Sequence, residues 1–221
     1  PGLPGQSLPM CGDRPACNLK GTPVESACIS TKGFYTHAMA RRDEILQASF
    51  EILGGEGLEA LHARTVAARL GINHATVHYY FPRRPDLLAG TAEFAVAQLI
   101  KDRASLGAPI SPRDAIENEL ALTEAYAKPG SRMGRAVMAL AAARHEVPAL
   151  TPHLEKWMGL FEASLAEALP NAKLRKSSPF ADPGLLAATL FGIVAVAHLK
   201  DDGSAAAAAQ LDGVFSSLFK E

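Results

Sequence analysis

The chain has 221 residues, of which 48% are hydrophobic and 20% charged, and its formal net charge is −1. This is the composition of a soluble globular protein with room for a small domain and a larger one, and it excludes disorder on a large scale. With so little net charge, any nucleic-acid face has to come from a local distribution of charge.

Residues 1–38 are rich in Pro and Gly, show no periodic apolar face and hold all three cysteines, Cys11, Cys17 and Cys28. They read as a flexible leader, either a real extension or a product of gene-start choice with Met39 as the natural start, and they lack the continuous apolar run of a signal peptide. The cysteines and His37 are too widely spaced for a zinc site and contain no C-x-x-C pair. Free thiols in a reducing cytoplasm are the expectation.

The first helix is predicted from Arg41 to Leu53, with Ile45, Leu46, Ala48, Ser49, Ile52 and Leu53 facing inward and Gly54, Gly55 and Gly57 breaking it. Glu59 and His62 form an E-x-x-H, but there is no second copy and Glu59 falls in a turn, so no metal site is expected. A second helix carries Ala63, Val66, Ala67 and Leu70 at helical spacing and ends at Gly71, which suits a left-handed closing residue. After a tight turn, Asn73 caps a third helix from about His74. Val77 and Phe81 point inward with Tyr80 alongside, leaving His74, Ala75, Thr76, His78 and Tyr79 outward. This is the pattern of a helix-turn-helix.

No acidic residue lies between Glu59 and Asp86, while Arg64, Arg69, Arg83, Arg84 and three histidines do. Such a field attracts phosphate. The run G-I-N-H-A-T-V-H-Y-Y-F-P-R-R-P-D-L-L, preceded by V-A-A-R-L and extending back to Ile45, resembles the DNA-binding signature of TetR-type transcriptional regulators. The resemblance covers roughly a fifth of the chain. It departs from the family at His62, where a Ser or Thr cap is usual, and at His78, the first position of the usual aromatic pair. The DNA-contact candidates are His62, Arg64, Asn73, His74, Ala75, Thr76, His78, Tyr79 and Arg84, the last fitting the family's basic phosphate-contacting position.

Downstream the chain reads as helix after helix. Leu87, Leu88, Thr91, Phe94, Ala95, Gln98 and Leu99 carry one from Asp86 to about Arg103, long enough to link head to body. Three more are punctuated at Pro112–Ala127, Ser131–Arg144 and Pro148–Leu169. Asn171 to Pro183 reads as an exposed loop. Gly184 to Ala197 is an almost wholly apolar run of fourteen residues, too short to span a membrane, which needs about 20. A final helix is predicted from Ser204 to about Phe219.

The expected architecture is therefore all-α: a leader at 1–38, a three-helix DNA-binding head at 39–85 and a helical bundle at 86–221. A monomer could hardly cover the apolar run, so the last two helices are expected to pair with their copies in a homodimer. The candidates are Leu186, Leu190, Ile193, Val196, Ala197, Leu211, Val214, Phe215 and Leu218. The resemblance implies that the bundle senses a small-molecule effector. Phe94, Tyr126, Met133, Met138, Trp157, Met158 and Phe161 are the side-chain types from which an apolar pocket is lined. Singly, each is more often core than pocket. Arg135, His145 and His153 are polar groups that either orient a ligand or face water.

The function this implies is a cytoplasmic, non-enzymatic transcriptional repressor without cofactor, released from a palindromic double-stranded DNA operator by a lipophilic ligand. An effector-independent regulator is the alternative, and a helical-bundle enzyme a more distant one. The sequence holds no Gly-rich phosphate loop, no G-x-S-x-G and no H-E-x-x-H.

Overall fold

The computed structural model describes residues 31–175, 178–200 and 203–219, with side chains from residue 39 onward except at 204. These residues form α-helices and short 3₁₀ turns, and no strand occurs among them. The helices are α1 (Thr31–Glu56), α2 (Ala63–Leu70), α3 (His74–Tyr80), α4 (Arg84–Ser105), α5 (Pro112–Ala127), α6 (Arg132–Ala143), α7 (Thr151–Ala168), α8 (Pro183–Leu199) and α9 (Gly203–Leu218). None of the described helices is long and apolar enough to cross a membrane. The cysteines and the side chain of His37 lie outside the described residues.

Helix α1 is longer at both ends than its apolar pattern predicted. It starts at Thr31 rather than Arg41, within the stretch read as leader, and it continues through Gly54 and Gly55 to Glu56. Each helical glycine costs about 1 kcal/mol relative to alanine, but Gly54 is placed by packing. A Cβ there would lie 2.5 Å from the Arg132 carbonyl oxygen, so the missing side chain lets α6 begin against α1. The chain turns only at Gly57, where φ is 90°.

The long α4 joins head to bundle. The Asp86 carboxylate accepts from the Arg83 backbone N–H at 3.1 Å, and Pro85 occupies the first turn, where a missing N–H costs nothing. Leu87, Leu88, Ala92, Ala95, Val96 and Leu99 are buried along it. At 22 residues it spans roughly 33 Å at about 1.5 Å per residue.

Sequence punctuation places the bundle helices well. Ser111 and Asp114 form a reciprocal cap for α5, each bond 3.1 Å, while Ser131 caps α6 and Asp182 caps α8. The apolar run is covered differently from what was predicted. Helix α8 is packed against α5, α6, α7 and α9 of its own chain. Leu186, Leu190, Ile193 and Ala197 are buried in the single chain, as are Leu211, Val214 and Leu218 of α9. A helix apolar all round finds partners inside the bundle for one side, while Leu185 and Ala188 stay exposed and Phe191, Ala195 and Val196 half-buried, so the single chain covers the run only in part. Only Val196 and Phe215 of the nine predicted interface residues keep partial exposure.

Candidate nucleic-acid interface

The turn between α2 and α3 is built by local chemistry. Gly71 takes the left-handed conformation at φ 64° and ψ 31°. The Ile72 N–H bonds the Ala67 carbonyl at 3.0 Å and the Gly71 N–H bonds that of Ala68 at 3.3 Å, the paired bonds of a Schellman closure. Two residues later the Asn73 side chain accepts from the Ala75 N–H at 2.9 Å and starts α3. Val66, Ala67, Val77 and Phe81 are buried beneath, so the two helices share one small core.

On the outer side of α3, His74, Ala75, His78 and Tyr79 are exposed, Tyr79 by 80%. Thr76 was expected there too and is half-buried. The His74 and His78 rings meet edge-on at 6.1 Å, and Tyr79 meets Tyr80 in the same way at 5.2 Å, which steadies the exposed row.

Beside α3, a surface groove of about 580 Å³ gathers His62, Arg64, Thr65, His78, Arg83 and Arg84 from α2, α3 and the start of α4. His62 precedes α2 with no side-chain cap, as its replacement of a hydroxyl residue predicted. Arg64 is exposed and has no ion-pair partner among the described residues. The other basic residues are more committed than the sequence suggested. Arg69 pairs with Glu56 at the end of α1, and Arg83 pairs with Asp86 at 2.9 Å. That bond raises the Arg83 pKa and holds the Asp86 carboxyl below its usual range. Arg84 donates to the Leu58 carbonyl at 2.9 Å and towards that of Leu61 at 3.4 Å, tying α4 to the turn before α2. With two of its five N–H donors engaged, it is a strut of the head as well as a groove residue.

The bundle brings together four of the seven predicted pocket residues. Tyr126, Trp157, Met158 and Phe161 line a cavity of about 10 Å³ with Thr123, Ala187, Leu190, Phe191 and Val194. Phe94 is elsewhere, stacked at 5.6 Å on Phe50 of α1, and neither Met133 nor Met138 lines the cavity. The missed residues come from α5 and α8, and no local signal marks them, since Leu190 and its neighbours look the same whether they face a cavity or a core. Arg135 and His145 are exposed and His153 half-buried, away from the lining.

The cavity wall grips α4. The Tyr126 hydroxyl donates to Asp102 Oδ2 at 2.9 Å, and Gln98 holds the other Asp102 oxygen at 2.8 Å. Arg103 lies over the Phe161 ring at 5.3 Å and donates to buried Glu119 at 2.8 Å, which also accepts from Ser164 at 2.7 Å. Burial and the neighbouring Asp102 charge push the Tyr126 phenol far above its ordinary pKa.

Residues 45–90 match the model of the bacterial regulatory proteins of the tetR family. No curated protein matches the chain. Among solved structures, a transcriptional regulator from Rhodococcus sp. Rha1 superposes with a TM-score of 0.62 at 20% identity, over 80% of this chain and 97% of that one. A TetR transcription regulator from Haloarcula marismortui gives 0.62 at 16% identity, over 81% and 98%. The ketosteroid transcriptional regulator KstR2 of Mycobacterium tuberculosis gives 0.57 at 13%, over 82% and 96%. These likenesses concern the fold of the whole described chain, while the family match lies on the helix-turn-helix itself. Residues 45–90 are thus similar to the helix-turn-helix segment of the tetR family, and the described helices share the all-α fold of the solved TetR-type regulators.

Proposed function

We propose that the chain is a repressor that binds a two-fold symmetric operator as a homodimer and leaves it when an apolar ligand enters the bundle. The observation that carries the DNA reading is the exposed face of α3, with His74, Ala75, His78 and Tyr79 outward on a helix fixed by the Asn73 cap. An α-helix of this kind fits the major groove, and its first turns read base edges. His74, Ala75 and Thr76 are the reading residues. His62, Arg64, Asn73, His78, Tyr79 and Arg84 flank them as backbone contacts, which give affinity without sequence information.

The induction reading rests on α4. Tyr126 and Phe161 line the cavity and also hold Asp102 and Arg103 near one end of α4. The other end carries the head, with Gly90 so close to Phe81 and Leu46 that a Cβ would overlap both. A ligand that displaces the cavity wall therefore tilts α4 and changes the separation of two heads in a dimer. Coupling of about 1 to 3 kcal/mol would lower operator affinity some five- to 150-fold. The regulator KstR2, named for ketosteroids, shares the fold, which supports an apolar effector. The match of residues 45–90 to the tetR-family model supports a regulator over a helical-bundle enzyme.

For the dimer, the surface between α8 and α9 supports a second copy of the chain. A shallow groove there is lined by Phe180, Thr189, Gly192, Ile193, Val196, Gln210, Gly213 and Val214. Two glycines on adjacent helices leave room for a partner's side chains.

Footprinting on the DNA flanking its own gene tests the whole reading. The expected result is a near-palindromic site with half-sites about 34 Å apart, released by lipophilic compounds. Protection of one asymmetric half-site would overturn the dimeric repressor. Intact binding that no compound or cell extract relieves would favour the effector-independent regulator.

A further inference from the structure

Two buried side-chain atoms have no hydrogen-bond partner among the described residues, Trp157 Nε1 and Arg103 Nε. Both are donors, and both flank one ring. The Trp157 and Phe161 ring centres are 4.9 Å apart, and the Arg103 guanidinium carbon stands 5.3 Å over Phe161. Buried donors without a partner are rare, because each loses its bond to water and gains nothing in return. Trp157 is only 4% exposed and lines the cavity between α5, α7 and α8.

The cavity lining holds no carboxylate, and apart from Trp157 its polar side chains are the hydroxyls of Thr123 and Tyr126. Glu119 accepts from Arg103 and Ser164, and Asp102 accepts from Gln98 and Tyr126. The Thr123 hydroxyl donates to the Glu119 carbonyl at 2.8 Å. With both lining hydroxyls donating elsewhere, the lining's spare donor is the Trp157 N–H, while a ligand's own N–H or O–H would meet only hydroxyl lone pairs there.

We infer that the cavity takes an apolar molecule bearing a carbonyl oxygen, which accepts the indole N–H of Trp157. This rests on the effector reading of the bundle and deepens it by naming the ligand's chemistry. The cavity of about 10 Å³ holds at most about one water, so entry requires the wall to yield. Met158 and Phe191 are its half-buried members, and the unbranched thioether of Met158 adapts at little cost. Ligand entry thus satisfies the Trp157 donor in the same movement that presses on Tyr126 and Phe161.

The chain contains one tryptophan, so its emission reports occupancy without DNA. The test titrates the full chain with 2-heptanone, 2-heptanol and heptane, read by tryptophan emission and by calorimetry. The ketone should change the emission saturably and bind about ten-fold tighter than heptane, with the alcohol between them. Trp157→Phe keeps the aromatic body and removes the N–H; by calorimetry it should lose about five-fold or more in ketone affinity and leave heptane unchanged. Equal affinities for ketone and heptane in the wild type, a comparison that needs no variant, overturn the inference. So do unchanged ketone affinity in Trp157→Phe and the absence of any saturable ketone binding. Operator release is scored separately: a ketone that binds with this ranking yet leaves the DNA complex intact overturns induction and keeps the ligand chemistry. Release by cell extract from a protein that does not distinguish ketone from heptane does the reverse.

Discussion

The Tyr126 hydroxyl and the Asp102 carboxylate, 24 residues apart and 2.9 Å from each other, join the wall of the bundle cavity to α4. Tyr126→Phe removes this bond while keeping the ring, at an expected cost of about 1 to 3 kcal/mol in urea unfolding. Operator affinity should persist while the response to ligand weakens. The phenol's pKa is raised in the folded state, so its contribution is complete below the unfolded value of about 10 and is lost as pH rises above it. Wild-type stability should therefore fall more steeply above pH ~10 than that of Tyr126→Phe. Parallel curves would refute the coupling.

Glu119 is 1% exposed and holds Arg103 and Ser164 together. Glu119→Gln leaves the Arg103 charge without a counter-ion. Because Arg103 keeps about a quarter of its side-chain exposure, the cost should fall at the low end for broken buried pairs, about 3 kcal/mol. Thermal unfolding measures it, and a loss no larger than that of a surface pair would show that water already screens this site.

Gly54 and Gly55 are adjacent in α1 and should respond oppositely to alanine. A Cβ at Gly54 collides with the Arg132 backbone, which cannot swing aside, so Gly54→Ala should cost about 1 to 3 kcal/mol. A Cβ at Gly55 meets nothing within 4 Å, and Gly55→Ala should gain about 0.5 to 1 kcal/mol by helix propensity. Denaturation midpoints of the two variants decide it; the same sign for both would contradict the packing of α6 on α1.

On the reading head, His74→Ala and Thr76→Ala should change which operator bases are tolerated, as read by binding to a randomised site library. Arg64→Ala and Tyr79→Phe should weaken all sequences alike. Removing Arg64 should lower the salt slope by about one. Arg84→Ala should also destabilise the head, because it releases the carbonyls of Leu58 and Leu61. A base-specific effect of Arg64→Ala would reassign that residue.

For the dimer, Val196→Glu and Gly213→Arg fill the shallow α8–α9 groove without touching the buried rows. Light scattering should show folded monomer in place of dimer. Leu190→Glu is a control of different meaning: Leu190 is 2% exposed within the chain, so it should unfold the bundle. A dimer that survives both groove variants moves the interface elsewhere.

Short-range chemistry makes the part of the protein that is legible from the order of amino acids. Gly71, Asn73, Val77 and Phe81 lie within a dozen residues of one another. Their roles as left-handed closure, cap and inward anchors follow from backbone geometry and helical period, and the structure repeats them almost residue for residue. The bounds of α5 and α6 were legible from proline and glycine punctuation, and their caps at Ser111 and Ser131 are equally local. Whatever depends on neighbours far along the chain was settled by packing instead. Helix α1 runs through Gly54 because α6 packs there, and Arg69 and Arg84 are held by Glu56 and two distant carbonyls. Helix α8 is apolar on every side, so its pattern has no direction. Contact with α5, α7 and α9 is what turns Leu190 towards a cavity rather than a second chain. Trp157 was legible as an aromatic on an amphipathic helix, but that its buried N–H lacks a partner among the described residues appears only in the packed structure.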